Sequence, residues 1–270
     1  MSRRRDFGGE TAGRDSGDRD PQYVVAVERA FDILRCFGVN DIDLTNAEIV
    51  ERTGLSKPTA SRLTNTLTRL GYLTYSERTG TYALAAGLLS LSAPLLTALS
   101  VRERARPLMR QLAEESGASV AIAAPSGIRM TYVEHVPGSG ALVLKFSLGS
   151  QMPMERTAMG RAYLAGLDAD TRARTMEELR AEGVLDSKVE RGIGDAIASV
   201  GKCGFCMSMG SWRQGINAVA TPLTFSGSPA ALALNCGAPA DVLHEARMRK
   251  VIGPRLVEIA RELGAIDHTA

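Results

Sequence analysis

The sequence predicts an α+β fold in two domains, and three observations carry that reading. Apolar residues recur every three or four positions in three short segments before residue 71. The period then switches to alternation over residues 72–84. After an apolar stretch interrupted by Pro94, strand-like and helix-like segments are mixed to the end. A chain of 270 residues with 44% hydrophobic and 23% charged residues can bury a core in each of two domains. The net charge of +2 selects no class of partner, so any charge argument must be local.

Residues 1–22, "MSRRRDFGGETAGRDSGDRDPQ", mix Arg with acidic residues and offer almost nothing to bury, so they read as a disordered tail. The tail is either a solvated extension or one in which Arg3, Arg4 and Arg5 add loose phosphate contacts. It lacks the apolar segment of a secretory signal, and no run is long enough for a transmembrane helix. With four scattered Cys (36, 203, 206 and 236), the chain is expected in the reducing cytoplasm.

Within residues 23–84, Val24, Val27, Phe31, Leu34 and Phe37 form the stripe of a first helix. "GVNDIDLT" breaks it, and "NAEIVERT" (46–53) is a second helix capped by Thr45 or Asn46. Gly54 stops that helix. Ser56 caps a third, with Pro58 in its first turn, where a missing N–H is harmless. Ala60, Leu63, Leu67 and Leu70 form its inward stripe and Gly71 ends it. Leu73 and Tyr75, then Tyr82 and Leu84, alternate about the turn "SERTG" as a β-hairpin.

Residues 85–100 read as a linker helix that packs against something, plausibly a second chain. In residues 101–270, "VRERARPLMRQLAEES" is a helix with Val101, Ala105, Leu108 and Leu112 inward. "ASVAIAA" and "RMTYVEHV" flank "PSG" as a strand pair, and "ALVLKFSL" (141–148) is a third strand. Helices follow near 157–167, 170–182 and 187–200. "GFCMSM", "INAVATPL" and "AALALNC" are three more strands, the last two joined by the turn "TFSGSP". A terminal helix kinks or breaks at Gly253-Pro254. The second domain is therefore α/β around an antiparallel sheet.

Two short helices joined by "TGLS" match the helix-turn-helix pattern, whose second helix lies in the DNA major groove. A reading helix must approach base edges closely. Lys57, Thr59, Ser61, Arg62, Asn65 and Thr66 are small or long and flexible, and none is acidic. Charge is sorted along the unit. Residues 23–51 carry six acids against Arg29 and Arg35, whereas residues 52–78 carry Arg52, Lys57, Arg62, Arg69 and Arg78 against Glu77 alone. A basic half of this kind is the footprint of phosphate binding, with Arg78 at the tip of the hairpin wing. Lys57, Arg62, Arg69 and Arg78 are assigned to positioning, and Thr59, Ser61, Arg62 or Asn65 to base reading.

In the second domain, "GSQMPMERTAMGRAYL" reads as strand end, loop and helix. Thr157 is a natural N-cap, and Ala158, Met159 and Gly160 form a first turn whose free N–H groups and small side chains favour an anion such as a carboxylate. "KCGFC" is a weak metal or redox candidate. The other Cys are distant, His135, His244 and His268 show no ligand spacing, and the motif lies in a helix-to-strand passage. His135, following "YVE" on a strand, reads as structural. No catalytic or metal residue is assigned and no cofactor is expected.

Two blocks together resemble the IclR family of bacterial transcriptional regulators. "VERAFDILRCF", "LTNAEIVERTGLSKPTASRLTNTLTRLGYL" and "YAL" are similar to its N-terminal winged helix-turn-helix domain, and "GSQMPMERTAMGRAYLAGL" with "GINAVATPL" to its effector domain. The resemblance covers about residues 23–265. It departs at Val50 and Ala60, where the family's small and larger residues are exchanged, a swap that conserves packing volume. The resemblance implies a GAF-like effector-binding domain whose pocket begins at Thr157–Gly160 and receives small organic or aromatic acids. It implies an opposite wall built from Ser208, Met209, Ala218 and Asn235. Relatives often carry a polar or acidic residue near Met209, so Met there implies a more hydrophobic ligand. The expected function is a DNA-binding regulator modulated by such an acid. It would act on a palindromic or near-palindromic double-stranded operator as a homodimer or dimer of dimers (a homotetramer). The alternatives are a thiol-dependent enzyme using Cys203 or Cys206, and a ligand-independent DNA-binding repressor.

Overall fold

The computed structural model describes residues 22–38, 40–139, 146–225 and 232–264. The expected N-terminal tail and most of the expected 141–148 strand and "TFSGSP" turn lie outside the described residues. The chain divides into two units between Ala98 and Leu99.

In the first unit, helix α1 (Val25–Arg35) precedes strand β1 (Leu44–Thr45), helix α2 (Asn46–Thr53) and helix α3 (Lys57–Arg69). Strands β2 (Leu73–Ser76) and β3 (Thr81–Leu84) form the hairpin, and helix α4 (Gly87–Ala98) follows. The sheet order is β1-β3-β2, antiparallel throughout. Strand β1 lies in the stretch read only as a helix break. It is two residues long, too short for an alternation signal, and it pairs Leu44 with Tyr82.

Local chemistry sets the helix ends. Thr45 caps α2 in a reciprocal box: its hydroxyl oxygen accepts from the Glu48 N–H at 3.2 Å, and its own N–H donates to the Glu48 carboxylate at 2.8 Å. Gly54 ends α2 at φ 67°, a left-handed position that glycine adopts without strain. Ser56 occupies the N-cap of α3, but its hydroxyl meets the Thr59 hydroxyl at 2.9 Å instead of a backbone N–H.

Ile33, Leu44, Ile49, Leu67 and Leu73 make the core of this unit. The expected α1 stripe is corrected. Ile33 is buried, with Ala30, Leu34 and Phe37 packed beside it, whereas Val24, Val27 and Phe31 are exposed. Helix α1 therefore carries two apolar faces, and the 3–4 spacing could not say which one the core takes. On α3 the inward residues are Ala60, Leu63, Thr64 and Leu67, and Leu70, expected inside, is exposed. Thr64 can be buried because its hydroxyl donates to the Ala60 carbonyl at 2.9 Å.

The second unit opens with helix α5 (Val101–Ser116). Strands β4 (Ser119–Ser126), β5 (Arg129–Val136) and β6 (Gln151–Pro153) precede helices α6 (Ala158–Gly166), α7 (Ala169–Ala181) and α8 (Ser187–Cys203). Strands β7 (Cys206–Met209), β8 (Ile216–Leu223) and β9 (Leu232–Pro239) lead to helix α9 (Glu245–Arg247). The six strands pair antiparallel in the order β6-β5-β4-β9-β8-β7. The strand paired with β5 on its outer side is thus β6, and Phe146–Leu148 are not in a strand. Past α9 the chain runs through a π-helical turn (Met248–Ile252) into helix α10 (Gly253–Gly264). The expected break at Gly253-Pro254 takes this form: the wider turn precedes the proline, which falls in the first turn of α10.

Cores lie on both faces of the sheet. On one, Val120, Ile122, Val219, Leu234 and Cys236 join the apolar residues of α5 and α10. On the other, Ala121, Ala123, Ala220, Ala233 and Cys206 join those of α6 and α8. Gly160 lets α6 sit close to the preceding loop, because any Cβ there would overlap the Met154 backbone.

The Thr45 box is open to a direct test. Thr45→Ala is expected to destabilise the first unit by about 1 kcal/mol, read from its transition in urea denaturation. An unchanged midpoint would show that the cap contributes nothing.

Candidate functional sites

The outward face of α3 is set by the residues that turn inward. With 3.6 residues per turn, Arg62, Asn65 and Arg69 line up opposite Ala60 and Leu67. Lys57, Arg62, Asn65, Thr66, Arg69 and, on the β2–β3 turn, Arg78 are exposed. Lys57, Arg62, Arg69 and Arg78 have no acidic partner among the described residues. Arg52 differs: its guanidinium pairs with Asp41 and donates to the Cys36 carbonyl at 3.0 Å, tying α2 to the loop after α1. The same contact holds the Asp41 carboxyl below the usual carboxylate range.

Two of the residues expected to read bases are placed otherwise. Thr59 is half-buried with its hydroxyl on Ser56, and Ser61 is half-buried with its hydroxyl accepting from the Asn46 amide at 2.7 Å. Ser61 locks α3 against α2 and lies on the flank of the outward face. The centre of that face belongs to Arg62, Asn65 and Arg69.

The second site is a cavity enclosing about 500 Å³, part of it open to solvent, within the ordinary range for a small-molecule site. Sheet register explains why it exists. Ser119, Gly237, Ala218 and Ser208 stand opposite one another across β4, β9, β8 and β7. The next row is His135, Ala121, Asn235, Ala220 and Cys206. The floor is thus made of glycine, alanine and serine, with Asn235 its one large polar side chain. Thr157, Ala158 and Met159 at the start of α6 form the roof, and Tyr132, Phe146, Met152 and Trp212 the aromatic and thioether walls.

Of the eight residues expected here, Thr157, Ala158, Met159, Ser208, Ala218 and Asn235 line the cavity. Gly160 is buried behind the roof, its N–H donating to the Thr157 hydroxyl at 3.2 Å. Met209 is corrected: β7 alternates, so Ser208 faces the cavity and Met209 is exposed. It carries no information about ligand polarity.

Thr157 is a working cap, its hydroxyl also donating to the Pro153 carbonyl at 2.7 Å. The N–H of Ala158 and that of Met159 have no partner among the described residues, and both lie at the positive end of α6. Behind them, buried Arg161 donates from Nε to the Glu155 carbonyl at 3.0 Å and steadies the loop into the roof; burial lowers its pKa. A charge on the apolar side of α6 was the signal for it in the sequence.

The sequence reading missed the aromatic wall and His135. Residues three apart on a regular strand face opposite ways, yet Tyr132 and His135 stack at 5.8 Å between centroids with 12° between planes. The register of β5 against β4 shifts between Ile122 and Ala123, and the extra residue of that bulge turns both rings into the cavity. Phe146 meets Tyr132 edge-on at 5.5 Å, and Trp212 lies 5.9 Å from Phe146. Burial lowers the pKa of His135, opposed by the Glu134 carboxylate.

Family models describe both units. Residues 26–77 match the IclR helix-turn-helix domain, and residues 93–265 match the C-terminal domain of the bacterial transcriptional regulator IclR. The chain belongs to the IclR family of bacterial transcriptional regulators. It is 30% identical over 246 residues to the HTH-type transcriptional regulator TsaQ1/TsaQ2 of Comamonas testosteroni, covering 90% of this chain and 88% of that protein. A crystal structure of an IclR family transcriptional regulator from Brucella abortus matches with TM-score 0.76 and 36% identity over 93% of this chain and 95% of that one. An IclR homologue from Microbacterium hydrocarbonoxydans, crystallised with 4-hydroxybenzoate, shares the fold with TM-score 0.65 and 19% identity over 89% and 96% of the two chains.

The family and these relatives are transcriptional regulators, not enzymes. The thiols of this IclR-family chain agree with that assignment. Cys206 is buried, donates to the Ala158 carbonyl at 3.4 Å, and has its pKa pushed up to about 12 by burial. It is a poor nucleophile near neutral pH. Cys203 is exposed at the end of α8, its thiol on the Ser199 carbonyl at 3.1 Å. No described helix is long and apolar enough to cross a membrane, and no metal-ligating cluster occurs among the described residues.

Thr157→Val removes a donor from the Pro153 carbonyl and an acceptor from the Gly160 N–H. The expected loss is about 1–3 kcal/mol, measured by chemical denaturation of the second unit, with Thr157→Ser retaining most of the stability.

Proposed function

We propose that operator binding by this DNA-binding regulator is modulated by a small organic or aromatic acid held in the cavity of the second unit. The observation that carries this reading is the start of α6, where two free N–H groups at the positive helix end open onto an aromatic-walled cavity. A carboxylate meets the N–H groups and an apolar body fills the space between Tyr132, Met152, Phe146 and Trp212. The Microbacterium homologue's complex with an aromatic acid supports the same ligand class.

On the DNA side, Arg62 and Asn65 read bases from the middle of the α3 face. Lys57, Arg69 and Arg78 contact phosphates, with Thr59 and Ser61 at the flanks. One reading unit alone is too small for tight specific binding, so the chain acts as a homodimer on a palindromic or near-palindromic operator, with a dimer of dimers as the larger assembly. The exposed apolar residues Val24, Val27 and Phe31 of α1 and Leu89, Leu91 and Leu95 of α4 supply self-association surfaces. The acid must bind two arrangements of the assembly with different affinities to shift operator occupancy.

The deciding experiment measures affinity for an operator selected from a random-sequence pool, with and without a panel of small carboxylic acids. Affinity and thermal stability that do not respond to any acid would favour the ligand-independent repressor. Where an acid acts, Thr157→Val combined with Asn235→Ala is expected to abolish its effect, and operator binding measured alongside separates lost response from misfolding. Arg62→Ala is expected to weaken specific binding by about 1–3 kcal/mol; an unchanged affinity removes Arg62 from the reading set. Lys57→Ala, Arg69→Ala and Arg78→Ala should each lower the slope of log affinity against log salt by about 1.

A further inference from the structure

Two polar atoms at the cavity are buried without a hydrogen-bond partner: Asn235 Oδ1 and His135 Nε2. Asn235 is 5% exposed, so no open solvent compensates its amide. A buried acceptor left unpaired is costly, and such groups are rare in folded proteins. Replacing it by an apolar residue would remove that penalty, so its presence at the floor of an apolar cavity points to a partner that arrives with the ligand.

Register gives the relation between the two groups. His135 on β5 and Asn235 on β9 both stand opposite Ala121 on the strand between them. At the usual strand spacing their backbones are roughly 10 Å apart, and only the Ala121 methyl fills the gap. The interval matches a six-membered ring lying over Ala121, edge to the imidazole on one side and to the carboxamide on the other. The stacked Tyr132, with Phe146 and Trp212 beyond it, continues the aromatic surface beside that ring. Asn235 Oδ1 accepts hydrogen bonds only. Burial favours the neutral imidazole of His135, whose Nε2 also accepts when Nδ1 carries the proton. The roof at Ala158 and Met159 supplies donors, so the cavity offers donors at one edge and acceptors at its floor.

We infer that Asn235 and His135 are the specificity-determining pair of this cavity, and that its ligand is an aromatic carboxylic acid carrying a hydrogen-bond donor on the ring. The inference rests on the cavity being an acid site, as proposed above, and adds which acids are accepted and what selects them. A carboxylate alone satisfies the roof. A ring hydroxyl or amine is needed to satisfy the floor, and a site built to pair such a group discriminates strongly against the analogue that lacks it.

Isothermal titration calorimetry on the full chain with benzoate, 3-hydroxybenzoate, 4-hydroxybenzoate and 3,4-dihydroxybenzoate tests it. At least one hydroxylated acid is expected to bind about tenfold or more tightly than benzoate. In Asn235→Leu and in His135→Phe the ratio of the two affinities should fall toward one. Thermal melts check that each variant is folded, and Asn235→Leu should melt no lower than the parent protein without ligand. Equal affinity for benzoate and all three hydroxylated acids overturns the inference and leaves the acid site standing. Selectivity that persists in both variants likewise overturns the role of the pair. Binding of none of the four acids overturns the inference together with the aromatic-acid reading beneath it.

Discussion

The second unit depends on an asymmetry between the two faces of one antiparallel sheet. Because side chains alternate, Val120, Ile122, Val219 and Leu234 fill one face, while Ala121, Gly237, Ala218 and Ser208 hold the other low over part of its area. Helix α6 cannot close that gap, because its start is held from behind by Thr157 on Pro153, Arg161 on Glu155 and Gly160 against Met154. The cavity is the space left between a low floor and a pinned roof. Its polarity has the same origin: a pinned helix start leaves two N–H groups unpaired, and a floor of small residues leaves Asn235 standing alone.

The first unit solves a different problem, that of presenting one helix rigidly with few residues. The capped start of α2, the left-handed Gly54 and the contact from Ser61 to Asn46 set the angle between α2 and α3. The Arg52–Asp41 pair then fastens α2 to the loop after α1. Polar groups near the helix junction are therefore spent on geometry, and the exposed cations farther along α3 and on the hairpin stay free. This division explains why basic residues that look alike in the sequence differ in role. Arg52 is structural, and Arg62, seen from the same stretch of chain, faces outward.

The secondary structure was largely legible because its signals are local. Caps, turn glycines and the change of period placed α2, α3, the hairpin and most of the larger sheet. The misplacements share one cause. Val24, Val27 and Phe31 on α1 and Leu70 on α3 have the spacing of core residues but belong to faces the unit does not cover. Periodicity reports that a face is apolar, and only the neighbouring elements decide whether it is buried in the monomer. Met209 was placed in the pocket beside Ser208, although the pleat of a strand sends adjacent residues to opposite faces. His135 was read as structural because a regular strand would turn it away from Tyr132, and a bulge is set by pairing with β4 and has no strong local signature.

The sequence by itself determined the order of elements, the helix-turn-helix turn with its sorted charge, and the helix start at Thr157. Each follows from residues close together in the chain, where backbone preference and capping act. Only the tertiary structure decided which faces are covered, which hydroxyls remain free on α3, and which side chains meet in the cavity. His135, Ala121 and Asn235 are more than a hundred residues apart at the extremes, and only sheet register makes them neighbours. Register is chosen by the packing of whole faces, a cooperative property that no short stretch of sequence carries.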